Sequence, residues 1–300
     1  MATYNRAHFI IETLVSIQNQ IFSDWECLII DDGGTDNTLE VLQPILEHDK
    51  RFSYHARLDS HKKGLPGCRN YGLDLAKGDH IIFFDDDDIV HPSALQLSLE
   101  VLIKTKLDFC HFQKKSFEKI VPGFVFEKVE VERELSLKNL FEIISGRVGL
   151  ASCTVLWKKE CFAGERFVES LQYAEEWECY SRIISNDIKG VIISNILYFN
   201  RKHPNSNTSE FYNKSSLRVG SKIEAVKLIY LNLLSKDILD NKSYRFLKSF
   251  VYRFDSNELN LFIKANNSKS IKNRIMFKLI DIRVSLFFMK KRCLNLLNGR

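Results

Sequence analysis

Nothing in this chain marks a disulfide or zinc framework. Its seven cysteines, at positions 27, 68, 110, 153, 161, 179 and 293, are odd in number, scattered and never spaced C-x-x-C. That argues for a reducing compartment and against a structural zinc site. No uninterrupted apolar run reaches the ~18 residues that a membrane-spanning helix needs, and no signal-peptide pattern precedes the first motif. The expectation is a cytoplasmic protein. Internal repeats, low-complexity linkers and recognisable nucleic-acid-binding modules are missing as well, so no nucleic-acid partner is expected. The start is equally bare: only Met1-Ala2-Thr3 precedes the loop Tyr4-Asn5-Arg6.

What is present suits a soluble globular chain. Three hundred residues, 45% apolar and 27% charged, can bury a real core in one large domain or two modest ones. The net charge of +5 conceals an asymmetry. Residues 211–300 hold 19 Lys+Arg against 6 Asp+Glu, a surplus of +13, which leaves −8 on the first 210. A basic tail behind an acidic body points to an anionic surface partner, while a soluble helical cap with a lysine-rich face explains it equally well. The last helix, about residues 271–297, pairs apolar and basic residues in a way that suits an anionic membrane face; packing on the body is the alternative.

The chemistry gathers where apolar runs end. Ile81-Ile82-Phe83-Phe84 has the bulk of a strand buried on both faces and runs straight into Asp85-Asp86-Asp87-Asp88. Four adjacent carboxylates repel one another, so a divalent cation such as Mg²⁺ or Mn²⁺ is expected to hold them, sharing its shell with a substrate's phosphates. A solvated acidic turn is the competing reading. A second apolar strand, Trp25 to Ile30, ends in Asp31-Asp32-Gly33-Gly34. The loop from His61 to Gly72 is basic and glycine-bearing and enters a helix, a pattern that binds anions through Arg69 and backbone N–H groups. Strands and helices alternate to about residue 110, which predicts a three-layer α/β domain with a largely parallel sheet. Residues 111–205 have a looser rhythm, with a helix opening at Glu175-Glu176-Trp177, where acids also serve the helix dipole. Residues 206–300 read as basic and helical. In an open α/β sheet the strand ends converge on one crevice. A cation-plus-arginine site there suits a nucleotide diphosphate, and a separate carboxylate suits a general base.

The order of these motifs closely resembles family 2 of the glycosyltransferases, inverting enzymes with the GT-A fold. The resemblance rests on Tyr4-Asn5-Arg6, Ser16 to Gln20, Trp25-Glu26, Ile29 to Gly33, Cys68-Arg69-Asn70-Tyr71-Gly72 and Asp85 to Asp88 followed by Pro92, and it covers residues 3 to about 205. It implies a Rossmann-like, mostly parallel sheet flanked by helices with a helical C-terminal extension. Residues 1–110 would bind the nucleotide-sugar and residues 111–205 the acceptor. Tyr4, Asp32 and Arg69 would line the nucleotide pocket, Asp32 at a pyrimidine N–H, which favours UDP- or dTDP-sugars. Asp85 would approach the ribose or the metal with Asp86 beside it, and Asp87 would ligate the metal, with Asp88 alongside. His203, in the loop matching the family's Arg-x-His, would contact phosphate or metal. The residue before Trp177, Glu176, would be the catalytic base, with Glu175 the alternative.

Two departures stand out. The family usually has Asp where Glu176 stands. Its members also have a buried first strand before Tyr-Asn, so this chain is expected to lack that strand and to be truncated. The implied function is transfer of a sugar from a nucleotide-diphosphate donor to a saccharide or lipid-linked acceptor in cell-surface polysaccharide or glycolipid synthesis, at the cytoplasmic membrane face. The alternatives are a non-catalytic binding protein derived from the fold and a metal-dependent phosphotransfer enzyme. The second wants Gly and Thr after its acids, where Asp88-Ile89 stand.

Overall fold

A computed structural model describes residues 1–202, 211–213, 215–267 and 282. Alternating elements build its first half: β1 (Ala2–Thr3), α1 (Ile10–Gln18), β2 (Cys27–Asp31), α2 (Thr38–His48), β3 (Phe52–Ala56), α3 (Leu65–Leu75), β4 (His80–Ile81), β5 (Ile89–Val90) and α4 (Ala94–Thr105). The second half follows with β6 (Phe109–Phe117), β7 (Val131–Leu135), α5 (Leu140–Ile144), β8 (Val155–Lys158), α6 (Glu175–Ile184), β9 (Gly190–Arg201), α7 (Ser216–Ser235), α8 (Asn241–Arg253) and α9 (Asn257–Asn267). Strands β1, β2 and β3 form a parallel sheet in that order, as the β-α-β rhythm requires. The second sheet runs β4-β8-β6-β9-β5, with β7 also on β9, and is mixed: β6 and β9 are parallel and its other pairs antiparallel.

The expected strand Ile81-Ile82-Phe83-Phe84 is only partly a strand. It pairs with β8 at His80 and Ile81, and the buried Phe83 and Phe84 carry on without an assigned ladder. β1 is two residues long and pairs with β2 through Ile30 N–H to Met1 O (2.8 Å) and Asp32 N–H to Thr3 O (3.0 Å). Between β2 and Ile81-Ile82-Phe83-Phe84 lies an apolar cavity of about 660 Å³, lined by Met1, Leu28, Ile30, Ile82 and Phe84 among others. Met1's ammonium donates to Leu28 O (2.9 Å) at its edge.

Two main clusters make the core. One packs α1, β2 and α4 against the sheet through Ile10, Leu14, Ile29, Leu102, Phe112 and Tyr198. The other joins Phe109, Trp157 and Tyr180 to Ile229, Tyr230, Leu247 and Ile263. The basic helices α7–α9 thus share a core with the α/β body, burying Tyr230 and Tyr244 completely. Leu39, expected to face inward from α2, is 41% exposed, while Leu42 fills that role. The helix expected around residue 137 begins as a 3₁₀ turn before α5. All six described cysteines are free. Among the described residues no helix is long and apolar enough to cross a membrane; the basic helix about 271–297 lies outside them apart from Ile282.

Candidate active site

Four loops and one helix start meet at a polar cavity of about 790 Å³. The first loop, Tyr4-Asn5-Arg6, is held by Asn5, whose left-handed backbone (φ 55°) turns its amide to accept from Thr35 N–H (2.7 Å) and Asp36 N–H (3.2 Å). That clasp carries Arg6 to the acidic turn, 3.5 Å from Asp86 and 3.8 Å from Asp87. Tyr4 is exposed at the rim with the Lys63 ammonium 4.6 Å from its ring centre.

At the end of β2 the two acids divide their work. Asp31 holds the turn, accepting from Gly34 N–H (3.1 Å) and the Tyr54 hydroxyl (2.8 Å). Asp32 lines the cavity, with one oxygen on Arg57 Nε (2.6 Å) and the other on Gly64 N–H (2.9 Å). Each oxygen keeps a lone pair for a further donor. In the basic loop, Gly67 lies so close to Lys62 that a Cβ would stand 1.9 Å from its carbonyl oxygen; the helix can start there only with glycine.

Arg69 is the hub. It is 5% exposed, donates to Glu175 Oε1 (2.9 Å) and Ser152 Oγ (2.7 Å), and lies 3.6 Å from Asp85 and 3.9 Å from Glu176. Burial works against its charge, but the surrounding carboxylates, Glu175 first, outweigh it and hold its pKa above the ordinary value. Asn70, the next residue, exchanges two hydrogen bonds of 2.9 Å with the backbone of Phe167 and so fastens α3 to the segment leading to α6. Arg69 therefore touches the acid turn and the α6 carboxylates together. Removing one partner of such a buried set costs about 3–5 kcal/mol. Arg69→Met is expected to lower Tm by roughly 10 °C, and an unchanged melt would show that the carboxylates do not depend on it.

The acid turn itself crowds four carboxylates together, with Asp86 and Asp88 buried. Burial pushes Asp85 up; Asp86 is pushed to about 7 and Asp88 to about 8, Asp88 also by Asp85 and Asp87. Arg201 ties the turn to β9, its N–H on Asp88 Oδ1 (2.7 Å) and its Nε on Asp87 O (3.0 Å). Asp85, Asp88 and Cys153 each bring a ligand atom within 4.8 Å of the others. The surplus of carboxylate oxygens fits a hard divalent cation. Cys153 adds a thiol that burial holds in its neutral form. His203 lies outside the described residues.

At the start of α6, Ala174 adopts a left-handed conformation (φ 65°), costly for a residue with a Cβ and concentrated at functional sites. It sends the next two acids different ways. Glu175 is 8% exposed, and burial raises its pKa against the pull of Arg69. The Glu176 side chain is 32% exposed; Oε2 accepts Ser152 N–H (2.9 Å), and Oε1 makes no hydrogen bond among the described residues. Trp177 is locked by its Nε1 on Ile144 O (3.0 Å).

The cavity thus brings together Tyr4, Asp32, Arg69, Asp85, Asp86, Asp87, Glu175 and Glu176, residues up to 172 positions apart in the chain. Sequence reasoning missed Arg6, Lys114, Ser152, Cys153 and Lys222, which line it too. Arg6 was within reach, next to Tyr4-Asn5. Ser152 and Cys153 belong to a 3₁₀ turn without motif or period, and Lys114 and Lys222 read as ordinary charges on a strand and a helix.

Known proteins resemble this chain in sequence and in fold. Residues 1–138 match the model of glycosyl transferase family 2, and over them the chain resembles that family. It resembles the GalNAc(5)-diNAcBac-PP-undecaprenol beta-1,3-glucosyltransferase of Campylobacter jejuni, at 32% identity over 55% of this chain and 48% of that one. It also resembles the UDP-Glc:alpha-D-GlcNAc-diphosphoundecaprenol beta-1,3-glucosyltransferase of Escherichia coli, at 32% identity over 37% of this chain and 42% of that one. The matches therefore span under half the length of these relatives. Among solved structures, S. aureus TarS 1-349 in complex with UDP superposes with a TM-score of 0.64 at 22% identity, covering 87% of this chain and 72% of that one. The fold is GT-A.

Proposed function

We propose that this chain is an inverting glycosyltransferase that moves a sugar from a nucleotide-diphosphate donor to an acceptor hydroxyl. The observation that carries this reading is Glu176: one carboxylate oxygen is fixed by Ser152 N–H and the other is unengaged among the described residues, in one cavity with the acid turn. A fixed, partly exposed carboxylate is a positioned general base. In the proposed step Glu176 takes the proton from the acceptor hydroxyl, whose oxygen bonds to the anomeric carbon from one face. The carbon–oxygen bond to the diphosphate breaks on the other face, and the nucleoside diphosphate leaves with the electron pair. Asp85 and Asp87 would hold Mg²⁺ or Mn²⁺, which when bound neutralises the leaving diphosphate. Arg6, beside Asp86 and Asp87, adds a second positive charge there. Tyr4 and Asp32 would take the nucleobase, Asp32 accepting from a pyrimidine N–H.

Two features of the relatives support the finer reading. TarS binds UDP, in line with a UDP- or dTDP-sugar donor. The Campylobacter and E. coli proteins are named for diphosphoundecaprenol-linked acceptors. A lipid-linked saccharide at the cytoplasmic membrane face is the acceptor class proposed here. The test is thermal unfolding with UDP, dTDP and GDP, each with Mn²⁺ or with EDTA. A nucleotide at a hundred times its Kd stabilises by about 2.7 kcal/mol, so Tm is expected to rise by roughly 5–10 °C with the uridine or thymidine nucleotide and Mn²⁺. The rise should vanish in EDTA. A cooperative melt that no nucleotide moves would favour a non-catalytic descendant of the fold.

A further inference from the structure

Lys222, on α7, reaches this cavity from the helical region. Its approach is built in. One residue earlier, Ser221 Oγ accepts the N–H groups of Gln172 and Tyr173 (both 2.9 Å) and donates to Tyr173 O (2.7 Å), and Arg218 donates to Gln172 O. These bonds pin α7 on the segment just before Glu175 and Glu176. The Lys222 ammonium then rests 3.4 Å from the centre of the Trp177 ring, the residue after the proposed base. An ammonium has three donors, yet Lys222 forms no ion pair or hydrogen bond among the described residues. Glu175 is taken by Arg69, and Glu176 is held through one oxygen by Ser152 N–H. Burial draws the Lys222 pKa down to about 7, with Glu175 and Glu176 opposing and Arg253 adding to the fall. The indole face is covered by the cation, so a sugar ring cannot stack there. Lys222 thus has carboxylates nearby but no direct anionic partner among the described residues.

We propose that Lys222, seated on Trp177, forms an anion subsite that recognises a phosphate or diphosphate group on the acceptor. This rests on the glycosyltransferase reading and deepens it. Lysine serves phosphate as a point charge, and the donor's own diphosphate is assigned to the acid turn and Arg6.

Binding of inorganic pyrophosphate to the full chain in EDTA, followed by thermal shift and calorimetry, tests the subsite with no need for turnover. Wild type and Lys222→Arg are expected to bind, and Lys222→Met to bind at least tenfold more weakly while still melting cooperatively. Lys222→Gln is the second charge-removing variant should the first fail to fold. Asp87→Asn is expected to retain pyrophosphate binding while losing the Mn²⁺-dependent UDP shift, which separates this subsite from the donor site and its failure from failure of the transferase reading. Equal affinity in wild type and Lys222→Met, or loss of binding in Asp87→Asn as well, would overturn the proposal. Flotation with phosphatidylcholine vesicles carrying farnesyl diphosphate distinguishes the sources. Lys222-dependent binding to them supports a lipid-linked group, and Lys222-dependent binding of soluble pyrophosphate alone supports a soluble sugar phosphate.

Discussion

Glu176→Gln is expected to lower kcat about 10²–10⁴-fold, the ordinary contribution of a positioned general base, with the UDP–Mn²⁺ thermal shift retained. The amide preserves the shape of the side chain and can still accept Ser152 N–H through its oxygen, so the fold and the donor pocket should persist. Only the proton acceptor is lost. Glu176→Asp is the sharper variant, because it restores the residue usual in the family while shortening the arm by one methylene. A displacement of that order can cost about a hundredfold, so an acceptor pocket shaped around glutamate predicts a loss of that size. A gain would show instead that the longer arm is a handicap. Glu175→Gln distinguishes the two carboxylates. Glu175 is buried against Arg69, so its loss should lower Tm through an unpaired guanidinium. If Glu175→Gln abolished turnover without touching stability, while Glu176→Gln remained active, the base would be Glu175.

Asp87→Asn is expected to abolish the metal-dependent part of nucleotide stabilisation, roughly 5–10 °C in Tm at saturating UDP and Mn²⁺, and Asp85→Asn to do the same. The physical ground is the excess of buried carboxylate at the turn, where Asp86 and Asp88 are pushed up to about 7 and about 8. Removing one charge from so crowded a set relieves repulsion in the metal-free protein. Asp87→Asn should therefore melt no lower than wild type without ligand, and higher if the repulsion is large, whereas Asp85→Asn also gives up its 3.6 Å ion pair with Arg69. That pairing of outcomes, equal or greater stability alone and no response to Mn²⁺, separates a cation site from a merely structural acid. A full UDP shift in both variants would remove the metal from the mechanism. Asp87 stands 3.8 Å from Arg6, whereas Asp85 and Asp88 group with Cys153; comparing Asp87→Asn with Asp88→Asn would show which carboxylate the cation selects beside Asp85.

Much of this site was legible in the chain, because its chemistry is written into contiguous stretches. Four acids after an apolar run, an Asp-Asp-Gly-Gly strand end and Glu-Glu-Trp opening a helix each report a local environment, and local pattern follows from backbone period and side-chain burial. Hence the α/β architecture to residue 110, the acid turn and the α6 carboxylates were identified from residues alone, and the order of the motifs supplied the family resemblance. The partner of each side chain was not legible. Arg69 reads as a surface cation or a nucleotide ligand, and only the tertiary fold, which fastens α3 through Asn70 to the Phe167 segment, turns it onto Glu175 and Ser152. Asp31 and Asp32 look alike in sequence, yet one holds a turn and the other lines the cavity. Ser152, the backbone donor that orients Glu176, carries no sequence signal because every residue but proline has an N–H. The helices after residue 206 read only as a basic helical region; the common core buries Tyr230 and Tyr244 and brings Lys222 to Trp177. Sequence by itself determined which chemistries this protein carries, since composition and period act within a few residues. Tertiary structure alone decided which carboxylate is free to act and which is neutralised, since pairing depends on distances of 3–4 Å between residues about a hundred positions apart.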